Sequence, residues 1–116
     1  MTDRELLEAA AKAAGLTIDK SQFNGGGFGN TGFDLLGNAM LDCHNGTTWN
    51  PLTDDGDALR LAVRLVLHIE RWPGLTAVAV GTDKFQCQER CGADPCAATR
   101  RAIVRAAAAI GAEVKP

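Results

Sequence analysis

The chain has 116 residues, 46% of them hydrophobic and 22% charged, with a formal net charge of −2. That is room for one domain around one core, too apolar for a disordered chain and not basic enough for a protein that wraps a long nucleic-acid backbone. No apolar run approaches the ~20 residues of a bilayer-crossing helix, and the polar start Met1-Thr2-Asp3-Arg4-Glu5 is unlike a secretory or transit peptide, so a cytosolic protein is expected.

A first helix is predicted over residues 3–14. Thr2 and Glu5 have the spacing of a capping box, and Gly15 supplies the C-terminal stop. Its apolar stripe is Leu6, Leu7, Ala10, Ala13 and Ala14, mostly small residues that permit close packing.

From 16 to 48 the periodicity is poor and glycine is frequent. Residues 16–18 and 39–43 read as short strands. Between them Gly27, Gly29 and Gly32 satisfy G-x-G-x-x-G, but a dinucleotide site needs a buried strand before the motif and a helix after it. Lys20-Ser21-Gln22-Phe23 is a poor strand and the segment after Gly32 is too short a helix, so a loop or wide hairpin turn is expected.

Trp49-Asn50-Pro51-Leu52-Thr53-Asp54-Asp55-Gly56-Asp57 then reads as the entrance to a second helix over 55–65. Pro51 prevents backward extension, and the acids offer oxygens and negative charge to the unpaired N–H groups of the first turn. Capping accounts for Asp54, Asp55 and Asp57 without paired-carboxylate catalysis. Ala58, Leu61, Ala62, Leu65 and Val66 form the predicted inner face.

The period next changes from helical to alternating. Residues 67–72 and 75–80, separated by Pro73-Gly74, predict a hairpin. A polar, cysteine-bearing loop is expected over 81–93. Asp94 caps a last helix that starts at Pro95 and reaches about Ile110 before Gly111, with Ile103, Ala107 and Ile110 on one stripe beside Val104 and Ala108. This order suits a single α+β domain over 1–116, with a small, mostly antiparallel sheet of about four or five strands covered by helices.

Cys43, Cys87, Cys91 and Cys96 are the obvious chemical candidates. Four thiols can close a tetrahedral zinc site, although the spacing lacks the paired C-x2-C knuckles of zinc hairpins. Zinc, a disulfide and free thiols stay open as readings, and Cys96, second in its helix, can simply pack. A cysteine nucleophile would need His44 or His68 as its base; His68 reads as a surface residue, and His44, next to Cys43 on a strand, points to the opposite face. Neither an enzyme nor a cofactor is called for. Arg100, Arg101 and Arg105 are either a solvated helix face or a pocket for one or two phosphates.

The W-N-P-x-x-D-D-G-D-A-L-R-L-A-V block, followed after a hairpin by A-x-R-R-A-I-V-R-A-A-A, resembles the phage ABA-sandwich and NinX-like small phage proteins. Residues 49–65 and 97–111 carry the resemblance. Within that group the chain is most similar to the Thoeris anti-defence type 1 proteins, sponges that bind cyclic ADP-ribose isomers and, in some homologues, cyclic oligonucleotides. The resemblance implies α-β-α layers with helices on both faces of the sheet, dimers or higher homo-oligomers, and binding without turnover in the cytoplasm of a bacterial host. It places Arg100 or Arg101 at the arginine near the start of the family's last helix. A pyrophosphate ligand calls for arginine forks, with Arg105 nearby, and for an aromatic face on its base, which Phe85 or Phe28 can supply. The cysteine-rich stretch 86–96 departs from the family pattern. A rival function is an inhibitor that docks on a host protein complex, of anti-CRISPR type, through the acids at 54, 55 and 57; a small zinc-stabilised phage protein is a third.

Overall fold

The computed structural model describes residues 2–18, 33, 37–41, 48–71, 77–81, 85–90 and 92–113. Among these residues, three helices and five short strands follow in the order α1 (Asp3–Ala14), β1 (Ala39–Met40), β2 (Thr48–Trp49), α2 (Asp55–Arg64), β3 (His68–Arg71), β4 (Ala77–Gly81), β5 (Phe85–Arg90) and α3 (Pro95–Glu113).

The helix ends behave as the local chemistry dictates. Thr2 accepts from the Glu5 amide at 3.2 Å while its own amide donates to the Glu5 carboxylate at 3.1 Å, completing the capping box of α1. Gly15, at φ +73°, closes the other end in the left-handed conformation, with Leu16 N donating to Ala11 O. Asp54 receives the Asp57 amide at 2.8 Å and Asp94 receives the Ala97 amide at 3.1 Å, so both later helices are capped by the acids assigned to them.

The α3 helix is the centre of the molecule. It packs against α1 and α2 and also against β4 and β5. Ala98, Ala102, Ile103, Val104, Ala106, Ala107 and Ala108 are all buried, which is the near all-round apolar pattern of an internal helix. Against it α1 lays Leu6, Leu7, Ala10, Ala11 and Ala14, with Ala11 in the place expected for Ala13. From α2 come Ala58, Leu61 and Ala62, and Phe33, Leu41, Trp49 and Val80 complete the core. The Arg4 guanidinium lies 5.0 Å from the centre of the Phe33 ring. At the other end of α1, Arg64 Nε donates to the Ala14 carbonyl and ties α2 to it.

Four expectations need correction. Among the described residues the strands do not form one sheet: β1 pairs with β2 (Ala39 opposite Trp49), while β3, β4 and β5 form a separate antiparallel sheet in that order. Each strand has taken a partner close in the chain, the choice with the smallest loop-closure cost. Second, part of the stretch expected to be loop is strand β5; an edge strand resting on α3 tolerates polar residues on its other side, and Gln88 and Arg90 are exposed where Glu89 is half-buried. Third, Gly111 does not end α3, which continues to Glu113, because Gly111 does not take the left-handed conformation of a C-cap and instead lies within the helix beside the Ala9 carbonyl of α1.

The fourth concerns apolar residues read as inward. Val66 is 81% exposed with φ +54°, and Ile69, an apolar position of the alternating run 67–72, is exposed as well. The turn after α2 explains Val66: Leu67 N donates to Ala62 O, the signature of a helix whose next-to-last turn residue is left-handed, and Val66 occupies that position. The hairpin itself agrees with expectation, His68 to Arg71 pairing with Val78 to Gly81. No helix among the described residues is long and apolar enough to cross a membrane.

Candidate functional site

The three arginines near the start of α3 do not act together. Arg100 has only 17% of its side chain exposed; its Nε donates to Leu52 O at 2.9 Å and its Nη1 to Asp55 at 2.6 Å. It therefore fastens α3 to the entrance of α2. Arg100 thus stands apart from the other two, lining a separate cavity of about 280 Å³ with Asp55, Ile69, Arg71 and Cys96.

Arg101 and Arg105 stand one turn apart on another face of the helix, as a spacing of four requires. Both are about half exposed, at 45% and 46%. They line a groove of about 450 Å³ whose apolar wall is Leu6 of α1 and Ala108, Ala109 and Ala112 of α3. The row Arg101, Arg105, Ala108, Ala112 advances by four, three and four residues and so runs straight along the helix for about 16 Å. One end of the groove carries the two arginines, each with a carboxylate partner, and the other end is apolar.

Across from α3, β5 contributes Glu89, whose side chain is 18% exposed and ion-paired with Arg105. Arg101 makes a looser contact with Asp3 at 3.5 Å. An arginine carries five N–H donors in a planar fork, so a single carboxylate leaves donors over for an anion. Glu89 was missed in the sequence because it falls in the stretch expected to be loop. The available signal was the two-residue period of Phe85 and Cys87 among polar residues, which extends to position 89.

Of the remaining candidates, Phe28, Cys43, His44 and Cys91 lie outside the described residues, as does the glycine segment. The backbones of Phe85 and Cys87 belong to β5, opposite Gly81 and Val80. Cys96 is a free, exposed thiol rather than a packed one. No three His, Cys, Asp or Glu side chains among the described residues come together as metal ligands.

The acids at the α2 entrance are each engaged. Asp54 caps the helix and lies 3.9 Å from Arg60, Asp55 pairs with Arg100, and Asp57 is buried, accepting from the Asn50 amide at 2.9 Å and from Arg60 at 2.7 Å. Asn50 completes the junction by giving its side-chain amide to Asn38 at 2.9 Å and accepting from the Leu52 amide at 3.0 Å. These groups hold β2 to α2. No protein-family model, curated protein or solved structure matches the chain.

Proposed function

We propose that this protein binds a small phosphorylated nucleotide in the Arg101–Arg105 groove and sequesters it unchanged, as a phage or prophage anti-defence protein that removes cyclic nucleotide immune signals such as cyclic ADP-ribose isomers or cyclic oligonucleotides. The observation that carries the reading is the pairing of two half-exposed arginines with an alanine and leucine wall in one groove. Guanidinium forks suit phosphate oxygens, and the apolar end suits the face of a base or sugar. No nucleophile–base pair is needed for such a role. The bacterial cytoplasm is where such signals arise, and a second copy of the chain packing on the three-stranded sheet would supply the helix–sheet–helix layering of the resembled family.

Calorimetry with cyclic ADP-ribose isomers on the wild type, Arg101→Ala/Arg105→Ala and Arg100→Ala tests this. The exposed Arg101–Asp3 pair is worth about 0–1 kcal/mol, whereas Arg105→Ala also strands the mostly buried Glu89 carboxylate, so the double variant should lose the ligand and some stability, and urea unfolding checks that it is folded. Arg100→Ala should keep the ligand and lose stability. Ligand recovered intact after heating supports sequestration; ligand recovered hydrolysed would replace it with an enzyme.

A second reading, docking on a host protein complex, is favoured by a different surface from the acids first assigned to it. Leu59 and Val63 are exposed apolar residues one turn apart on α2, and Val66 just past its end is exposed too. Loss of complex formation in Leu59→Ser/Val63→Ser, in a protein that carries no nucleotide, would establish that reading instead.

A further inference from the structure

Building on the nucleotide-binding reading, and narrowing it to ligands that keep a free ribose diol, which cyclic oligonucleotides with a ribose hydroxyl in every phosphodiester link do not, we infer that Glu89 is a specificity residue that selects ligands with an intact ribose diol beside the phosphate. Three features of the groove lead there. Glu89 is mostly buried, yet it lines the same groove as the two arginines. It touches the same arginine that offers its remaining donors to an anion. Arg101, the second cation, lies one turn further along the same face.

A carboxylate is an acceptor only, with room for two donors side by side. In a groove that also takes an anion, it repels further negative charge and rewards a ligand that places a pair of neutral hydroxyl or amino donors next to that anion. Because Glu89 and Arg105 are in direct contact, the donor pair must sit close to the phosphate. The vicinal hydroxyls of a ribose 5-phosphate are one sugar ring away from the phosphate, whereas the hydrogen-bonding edge of a base lies a further ring system beyond. The sugar meets that separation and the base does not. Acidic side chains hold ribose hydroxyls in this manner in dinucleotide-binding folds. The base then falls toward Ala108, Ala109 and Ala112, where the wall is apolar and sets no pattern of donors and acceptors. The groove should therefore discriminate strongly at the sugar and weakly at the base.

The competition for Arg105 gives this inference a second signature. Glu89 holds Arg105 in the free protein, so neutralising Glu89 releases an arginine for phosphate while removing the diol acceptor. Affinity for a bare anion rises, and preference for the ribose disappears. A purely structural role for Glu89 would lower both.

The experiment is calorimetric titration of the wild type and Glu89→Gln with ADP, 2′-deoxy-ADP and inorganic pyrophosphate, each protein checked by urea unfolding. The wild type should bind ADP about tenfold more tightly than 2′-deoxy-ADP, the loss expected for one hydrogen bond to a charged group. Glu89→Gln should bring that ratio close to one and should bind pyrophosphate more tightly than the wild type does. Equal wild-type affinity for ADP and 2′-deoxy-ADP, with pyrophosphate bound, would overturn the role of Glu89 and leave the anion groove standing. Failure of all three probes to bind the wild type would overturn the groove itself. Should Glu89→Gln not fold, the wild-type ratio alone decides.

Discussion

Gly111 of α3 lies so near Ala9 of α1 that a Cβ added to it would come 2.0 Å from the Ala9 carbonyl oxygen and 3.3 Å from the Ala13 amide nitrogen. The alanine-rich faces of the two helices let their backbones approach, and at this crossing even a methyl group has no space. In an ordinary helix interior, replacing glycine by alanine adds up to ~1 kcal/mol of stability. Here the sign reverses. Gly111→Ala is expected to destabilise the protein by about 2 kcal/mol or more, because backbone atoms rather than a flexible side chain must give way. Urea unfolding measures it, and a gain in stability would show that α1 can ride over the methyl group freely.

The same glycine marks where the sequence misleads. A glycine after an apolar helical run reads as a stop, and at Gly15 that reading is right, because φ is +73° there. At Gly111 the reason for glycine is the approach of a helix about a hundred residues earlier in the chain, which no local pattern carries. Caps, helix starts and the hairpin depend on neighbours within a few residues and were legible throughout. Strand β5 was not, since its pairing with β4 and its seat on α3 are what make Phe85-Gln86-Cys87-Gln88-Glu89-Arg90 a strand. The site was half legible for the same reason. Consecutive arginines are visible in sequence, but which of Arg100 and Arg101 turns toward the α2 entrance and which toward the groove depends on the helix packing around them.

Val66 offers a stabilising substitution. A β-branched residue at φ +54° is strained, and here its side chain is 81% exposed, so burial does not compensate. Val66→Gly fits the left-handed position that ends α2 and should raise stability by about 1 kcal/mol, the relief of the αL penalty less the greater chain entropy of glycine. Thermal unfolding would register it as a higher midpoint. A lower midpoint would mean that the exposed valine makes contacts worth more than its strain.

Asp57 is the member of the acid cluster whose removal should matter most. It takes the buried Asn50 amide at 2.9 Å as well as the Arg60 guanidinium at 2.7 Å. Asp57→Ala leaves that amide without its acceptor and should cost about 1–3 kcal/mol. Asp57→Asn keeps an acceptor oxygen and should cost less, and Arg60→Ala, with its side chain 72% exposed, should cost under about 1 kcal/mol. Chemical denaturation of the three variants gives the order, and hydrogen exchange at the Asn50 amide should rise with Asp57→Ala and stay near wild type with Arg60→Ala. An Asp57→Ala variant no less stable than Arg60→Ala would reduce the buried acid to a surface charge.

Glu5 links the start of α1 to pH. Its pKa is held below the ordinary 4.5, first by the hydrogen bond from the Thr2 amide and then by that from the Thr2 hydroxyl, against an opposing desolvation. A carboxylate whose pKa is lowered on folding contributes stability that is fully present above its unfolded value and disappears as pH falls through the folded value. The contribution should therefore be constant at neutral pH and vanish on acidification from about 4.5 downward, fraying the first turn of α1 as Glu5 ceases to accept from Thr2. Glu5→Gln, which keeps an acceptor but cannot titrate, should show a flatter acid limb of stability than the wild type. Side-chain carboxyl chemical shifts followed against pH would place the Glu5 midpoint below that of an unstructured glutamate, and a midpoint at or above 4.5 would show that the capping box does not hold in solution.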